Sequence, residues 1–284
     1  MAQAPIMELI HTVAELRERL SKEARIGLVP TMGNLHPGHI SLVELAKRRS
    51  SCVVATIFVN RLQFAAGGDF DRYPRTLAHD RWMLDKAGCD VVFAPDEHEM
   101  YPEPQQVHVT PPEIARVLEG DFRPGHFQGV CTVVAKLFNL VRPKVAVFGK
   151  KDFQQLAVIR AMERQLDFGI EIVGGDIVRD PDGLAMSSRN GDLSTAERRM
   201  APQLNAELRK IKEAIEGGSR RFERHMAMAR GDLETAGWDV DYVEVRNRAT
   251  LAPPGPHDKE LVILGAAWLG KTRLIDNVEY VAPA

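Results

Sequence analysis

The sequence predicts an α/β protein: a doubly wound parallel sheet followed by a smaller C-terminal α+β unit. Three observations carry this. Residues 52–59 and 145–148 are apolar and β-branched almost without alternation, as in strands buried on both faces. Up to about residue 176 such runs alternate with segments of helical spacing. Beyond it come charged helical segments and then three strands with no helix between them.

In order, residues 26–29 form the first expected strand, broken by Pro30-Thr31-Met32-Gly33. From His39 the positions of Ile40, Leu42, Val43, Leu45 and Ala46 suit a helix ending in Lys47-Arg48-Arg49, cations that suit the negative end of its dipole. Residues 52–59 are the next strand, 76–87 a helix closed by Gly88, and 90–94 a strand. Val130, Val133, Val134, Leu137, Phe138 and Val141 are helically spaced, and Arg142-Pro143 stops that helix. A strand at 145–148, a helix at 152–166 and a short strand at 171–173 complete a Rossmann-like domain, residues 1–177. Residues 178–284 read as a lid domain. It has one long helix at 195–215 ended by Gly217-Gly218-Ser219, a second at 220–236, and strands at 239–245, 261–267 and 272–278.

The chain has 284 residues, 44% apolar and 27% charged, with a formal net charge of −2. That is enough chain to bury a large core, and it lacks the excess of Lys and Arg that a broad nucleic-acid or membrane surface requires. Cys52, Cys89 and Cys131 are widely spaced, which suits buried thiols in a reducing compartment. Residues 1–10 do not read as a secretory signal, and no apolar run approaches the ~20 residues of a membrane span. A cytoplasmic protein is expected.

Ligands of an open parallel sheet bind beyond the carboxyl ends of its strands. Three strands release polar loops there: Met32-Gly33-Asn34-Leu35-His36-Pro37-Gly38-His39, then Asn60-Arg61-Leu62-Gln63-Phe64, then Gly149-Lys150-Lys151-Asp152 with Gln154 and Gln155. Gly33 and Gly38 allow close approach of backbone to a ligand, and His39 stands where a helix is expected to begin. Two imidazoles three residues apart can donate to phosphate oxygens and stabilise a departing pyrophosphate; two loop histidines without a role is the plainer reading. A zinc site finds no local third ligand. A Lys after the 145–148 strand can hold a triphosphate, and Asp152 can accept ribose hydroxyls or cap the following helix. Gln154 and Gln155 can orient a small polar substrate or face solvent. Ser187-Ser188-Arg189 follows the turn Asp180-Pro181-Asp182-Gly183, and in a mobile loop can close over phosphates.

Together these segments resemble the pantothenate synthetase (pantoate–β-alanine ligase) family of the nucleotidylyltransferase superfamily. The matching stretches are Pro30-Thr31-Met32-Gly33 with His36-x-Gly38-His39, Phe58-Val59-Asn60 with Gln63-Phe64, and Asp71-Arg72-Tyr73-Pro74-Arg75-Thr76. Further matches are Phe122-Arg123-Pro124 with His126-Phe127, Phe148-Gly149 with Lys151-Asp152 and Gln154-Gln155, and the run from Asp182 to Asn190. HxGH alone is shared with many adenylyl and cytidylyl transferases; the combination is far more specific.

The resemblance implies that ATP, (R)-pantoate and β-alanine give pantothenate, AMP and pyrophosphate through a pantoyl-adenylate, with Mg²⁺, in a homodimer. By position it implies His39, His36 and Lys151 as catalytic groups. The ATP site would comprise Met32 to His39, Gly149, Lys150, Lys151, Asp152, Val178, Met186, Ser187, Ser188 and Arg189. Gln63 and Gln155 would hold pantoate, and Gln63 also β-alanine. Arg61 stands where the family usually has Pro, and Lys150 where it usually has an acidic residue. The stretch Ala65-Ala66-Gly67-Gly68-Asp69 reads as a flexible loop on the pantoate side. Transfer of AMP or CMP to a phosphorylated acceptor is the alternative, but such an acceptor calls for Arg and Lys where two neutral glutamines stand. A nucleotide sensor without turnover has no support in the sequence.

Overall fold

The computed structural model describes residues 7–64 and 70–282, so the expected flexible loop at 65–69 lies outside the described residues. The chain divides into two compact units: Met1–Lys150 with Gln155–Asp176, and Lys151–Gln154 with Ile177–Ala284.

The first unit runs β1 (Glu8–Ile10), α1 (Val13–Leu20), β2 (Ile26–Thr31), α2 (Pro37–Lys47), β3 (Cys52–Ile57), α3 (Leu77–Ala87), β4 (Val91–Phe93), α4 (Glu97–Met100), α5 (Glu119–Phe122), α6 (His126–Val141), β5 (Val145–Gly149), α7 (Phe153–Leu166) and β6 (Glu171–Gly175). Its six strands are all parallel, in the order β1-β4-β3-β2-β5-β6. This is the doubly wound sheet expected. Strand alternation explains why both faces are buried. Leu28, Val54, Ala146 and Phe148 enter one core with α1, α6 and α7. Val29, Val53, Ala55, Val145 and Val147 enter the other with α2 and α3. Each Val, Leu or Phe side chain fully buried in this way contributes roughly 1.5–3 kcal/mol, the alanines less.

Several boundaries differ from expectation. β1 and α1 come from a stretch in which no element is expected: a three-residue strand and a helix whose Leu16 and Leu20 alone are buried. β2 continues through Pro30 and Thr31 rather than breaking there. Its pairing with β5 covers Gly27 and Leu28 only, so a residue without an N–H is tolerated further along. α2 starts at Pro37, two residues before His39, with His36 as its N-cap; Pro suits the first helical position because that N–H has no partner within the helix. α3 ends on Gly88 at φ +71°, the left-handed close that Gly permits. α6 begins four residues before Val130, and Arg142 at φ +51° ends it.

The second unit contains α8 (Thr195–Met200), α9 (Gln203–Glu216), α10 (Phe222–Thr235) and an antiparallel sheet β7-β8-β9 (Asp239–Asn247, Glu260–Leu269, Thr272–Val281). The single helix expected at 195–215 is two, because Pro202 removes a backbone donor and its ring clashes with the preceding turn. Leu204, Leu208, Ile211 and Ile215 of α9 pack with Leu233, Val243, Val245 and Ile263 in a separate core.

Candidate active site

β2 and β5 are central neighbours from which the chain departs in opposite directions, β2 toward β3 and β5 toward β6. Their carboxyl ends therefore mark the topological switch point, where an open sheet leaves a crevice for ligands. The Met32–His39 segment leaves β2 there, and the 3-10 turn Lys150–Asp152 follows β5.

The loop after β2 is held from below. Gly33 at φ +83° and Asn34 at φ +51° turn the backbone left-handed, bringing successive N–H groups to the same side. Asp80 of α3, wholly buried, receives them: Asn34 N–H donates to Oδ2 at 3.0 Å and Leu35 N–H to Oδ1 at 2.8 Å. The Thr76 hydroxyl donates to Oδ2 at 3.1 Å. Thr31 adds a second anchor, its hydroxyl donating to Thr56 O at 2.6 Å while accepting from Gly33 N–H at 3.2 Å.

At the start of α2 the two histidines cap the helix reciprocally. Gly38 N–H donates to His36 Nδ1 at 3.2 Å, and His36 N–H donates to His39 Nδ1 at 3.3 Å. The ring centroids are 4.0 Å apart. Because each Nδ1 accepts, a neutral ring carries its proton on Nε2. The cap thus fixes the tautomer that places an Nε2–H donor on each ring, beside the positive end of a helix dipole.

Gln63 lies in the 3-10 turn Arg61–Gln63 that follows β3. Its Nε2 is 3.2 Å from Met32 Sδ, and its carbonyl meets His126 Nδ1 at 3.0 Å. Buried Asn60 sets its orientation, donating through Nδ2 to Gln63 Oε1 and to Gly129 O, both at 3.1 Å, and accepting from the Tyr101 hydroxyl at 2.8 Å. Gly129 permits this approach, since a Cβ there would collide with the Leu62 carbonyl. Burial, and then the charge of Glu97, push the Tyr101 phenol well above its ordinary range, so it stays a donor. Arg61 pairs with Glu97 through Nε at 2.8 Å and stacks 3.9 Å over the Phe70 ring, which ties this turn to α4.

Beyond β5, Lys150 Nζ donates to Asp176 at 2.7 Å. Asp152 is exposed, Gln154 buried and Gln155 half-buried. Within the second unit, Asn277 Nδ2 donates to Lys151 O at 2.9 Å. Val178 and Met186 are brought together by the turn between them, Met186 N–H donating to Val178 O at 2.9 Å. The Ser187-Ser188-Arg189 segment is a capped 3-10 turn rather than an irregular loop: Ser187 Oγ accepts from Arg189 N–H at 3.3 Å. Beneath it Arg179 grips Asp276 at 2.7 and 2.9 Å, and Asn205 donates to the same carboxylate at 3.0 Å.

Among the described residues no group of three or more His, Cys, Asp or Glu stands ready to hold a metal ion. All three cysteines are buried, and burial pushes their thiols up to about 12, so none is a nucleophile at neutral pH.

The family model for pantoate-beta-alanine ligase matches residues 7–279. The chain belongs to the pantoate-beta-alanine ligase family. It is 60% identical over 279 residues to the pantothenate synthetase of Thiobacillus denitrificans, covering 98% of this chain and 99% of that relative. The pantothenate synthetase structure from Thermus thermophilus superposes with a TM-score of 0.93 at 44% identity, covering 98% of this chain and 100% of the other. The ligase structure from Francisella tularensis, complexed with beta-gamma ATP and beta-alanine, superposes with a TM-score of 0.81 at 31% identity, covering 96% and 97%.

The residues that the family resemblance assigns to ligands are legible in the sequence, but those that hydrogen-bond to them or to their loops are not. Asn60 and His126 stand inside matching stretches without a role, while Asp80 and Tyr101 carry no signal. A carboxylate on a charged helix and a phenol after an acidic turn look like solvated side chains until the backbone N–H groups and the Asn60 amide they serve are known.

Proposed function

We propose that the ligation of pantoate and β-alanine, the activity of this family, runs here through a pantoyl-adenylate formed from ATP. A carboxylate is a poor acyl donor because its leaving group is oxide. In the first step a pantoate carboxylate oxygen attacks the α-phosphorus of ATP, and pyrophosphate leaves. In the second the β-alanine amine attacks the acyl carbon, the C–O bond to AMP breaks, and the amine proton is released. The observation that carries this reading is the reciprocal cap: with both Nδ1 atoms accepting backbone N–H groups, His36 and His39 carry Nε2–H donors suited to the charge that grows on departing pyrophosphate.

His39 is assigned the larger catalytic share, with His36 and Lys151 assisting. Met32 to His39, Gly149 to Asp152, Val178 and Met186 to Arg189 are assigned to ATP. Gln63 and Gln155 are assigned to pantoate, and Gln63 also to β-alanine. Neutral amides suit a small hydroxy acid, and the Asn60 bond presents Gln63 in one orientation. Lys150 Nζ is paired with an exposed Asp176, so a contact of its ammonium with ATP requires it to exchange that partner. The second unit is proposed to act as a lid that excludes water from a mixed anhydride prone to hydrolysis.

Mg²⁺ fits as a companion of the nucleotide: it keeps several waters, prefers phosphate oxygens and needs no cage of protein ligands. Bound there it neutralises phosphate charge. No described helix is long and apolar enough to cross a membrane. A cytoplasmic homodimer is proposed, which sedimentation tests.

Pantoate-dependent exchange of pyrophosphate into ATP, without β-alanine, tests the two-step reading. We expect exchange with Mg²⁺ present, and AMP release coupled to pantothenate when β-alanine is added. Folded protein that makes pantothenate but gives no exchange would sink the adenylate intermediate.

A further inference from the structure

We propose that Asp80 is a positioning residue for adenylation: its carboxylate sets the path of the loop that aims His36 and His39. This rests on the adenylation reading above. Asp80 is fully buried, a costly place for a carboxylate unless its oxygens are matched by donors. The donors found are the N–H groups of Asn34 and Leu35, one on each oxygen, with the Thr76 hydroxyl sharing Oδ2. They come from two segments, one of which joins β2 to the cap of α2.

The residue type follows from the geometry. Two backbone N–H groups arriving on separate oxygens require a side chain with two acceptors on one short planar group. Asparagine offers one acceptor and an NH₂, which would face an N–H. Glutamate would carry the group a methylene too far into a closed space, since a Cβ built on Gly33 already lies 3.0 Å from Asp80 Oδ2 and 3.1 Å from Ile57 Cγ2. Gly33 takes its positive φ freely, but Asn34 at φ +51° is a non-glycine residue in a sparsely populated conformation, which its bond to Asp80 helps to hold. Only His36 and Pro37 separate the Leu35 anchor from Gly38, so a shift at Leu35 passes to the His36 cap and to the direction of both Nε2–H groups. Asp80 contacts no reacting atom under this assignment. It acts through the loop.

The two half-reactions separate this role from general support of the fold. Adenylation needs the phosphate loop in register; attack of β-alanine on ready-made pantoyl-adenylate does not draw on the pyrophosphate-facing donors. For Asp80→Asn in the full chain we expect pantoate-dependent ATP–pyrophosphate exchange to fall about 100-fold, the scale of a misaligned reacting geometry. Conversion of supplied pantoyl-adenylate and β-alanine should stay within about twofold of the unaltered protein on the same grounds. Thr76→Val, which frees Oδ2 from one donor and leaves both backbone bonds, should show the same split at several-fold size. It carries the test if Asp80→Asn does not fold. Equal loss in both half-reactions, or wild-type exchange in Asp80→Asn, or in Thr76→Val if that variant stands alone, overturns the inference. If unaltered protein shows no exchange, the adenylation reading fails instead, and the two failures are told apart by that control.

Discussion

The Tyr101 hydroxyl donates a 2.8 Å hydrogen bond to Asn60 Oδ1, and the amide nitrogen of the same Asn60 holds Gln63 Oε1 at 3.1 Å. Tyr101 thereby decides which way Gln63 faces from two residues away. In Tyr101→Phe the ring remains but Asn60, 1% exposed, loses its acceptor's partner, at a cost of about 1–3 kcal/mol. A flipped Asn60 recovers a bond only by releasing Gln63. The expected outcome is a several-fold rise in KM for pantoate with KM for ATP little changed. Steady-state kinetics with each substrate varied checks it, and an unaltered pantoate KM refutes the link.

His36 has two separable duties. Its Nδ1 caps α2, and its Nε2–H is assigned to phosphate. Asparagine reproduces a δ-acceptor and is a good N-cap; alanine does neither. His36→Asn should keep the thermal stability of the unaltered protein, whereas His36→Ala should lose about 1 kcal/mol. Both should slow exchange by roughly 100-fold, the usual scale for losing one donor to developing charge. Wild-type exchange in the stable His36→Asn protein contradicts the phosphate duty.

How far the sequence discloses this arrangement depends on how local each cause is. Strand β3 and helix α3 with its closing Gly88 are legible because composition and a terminal glycine determine them in place. The split between α8 and α9 has an equally local cause, Pro202, although the helical spacing on either side of it predicts one helix. β1 and α1 are not legible: a three-residue strand beside β4 has no period of its own, and α1 buries little more than two leucines. The loop after β2 can be read as a motif, but its supports cannot. Asp80 meets Leu35 across 45 positions, and Tyr101 meets Asn60 across 41, distances at which neither partner marks the other in a single chain.

Arg61 tethers the turn that carries Gln63 to α4. Its guanidinium pairs with Glu97 and stacks on Phe70, but both charges are half exposed and screened by solvent, so the pair adds little to stability. Arg61→Ala should therefore melt close to the unaltered protein. Its pantoate KM should rise several-fold, because the turn carrying Gln63 is freed, and Glu97→Gln should do likewise to a smaller degree. High salt should bring the unaltered protein toward the variants as the pair is screened. A pantoate KM indifferent to both changes would mean the turn needs no tether.

Asp276 is the hub of the second unit. It is 5% exposed and takes Arg179 in a forked pair, together with Asn205 and its neighbour Asn277. Removing the carboxylate leaves a partly buried guanidinium without its partner, which costs about 3 kcal/mol. Asp276→Ala should lower the urea midpoint accordingly. It should also weaken adenylation, because Asn277, which holds Lys151 O, loses its own support. A urea midpoint equal to that of the unaltered protein would show the network to be dispensable.

The buried thiols contribute to a loss of stability at alkaline pH, to which the buried Tyr101 phenol adds above its ordinary range. Cys52, Cys89 and Cys131 are at most 3% exposed, and burial raises each from 9.0 to about 12. The folded pKa lies above the unfolded one, so the sign is fixed. Below pH ~9 both states hold the proton and the thiols favour neither. Between ~9 and ~12 the unfolded chain ionises while the folded one does not, so the unfolded state binds fewer protons and stability falls with pH, by at most about 1.4 kcal/mol per unit for each thiol. Denaturation midpoints should hold from pH ~7 to ~8.5 and drop steeply above ~9. Replacing all three by Ala or Ser would confound this with cavities, so Cys131→Val, close in volume, is the informative variant: its alkaline slope should be shallower by one thiol. At pH ~8 the same protonated, enclosed thiols should resist iodoacetamide while the protein is folded and react once it is unfolded in urea. Rapid alkylation of the folded protein, or an alkaline slope that Cys131→Val leaves unchanged, would place the cause outside these cysteines.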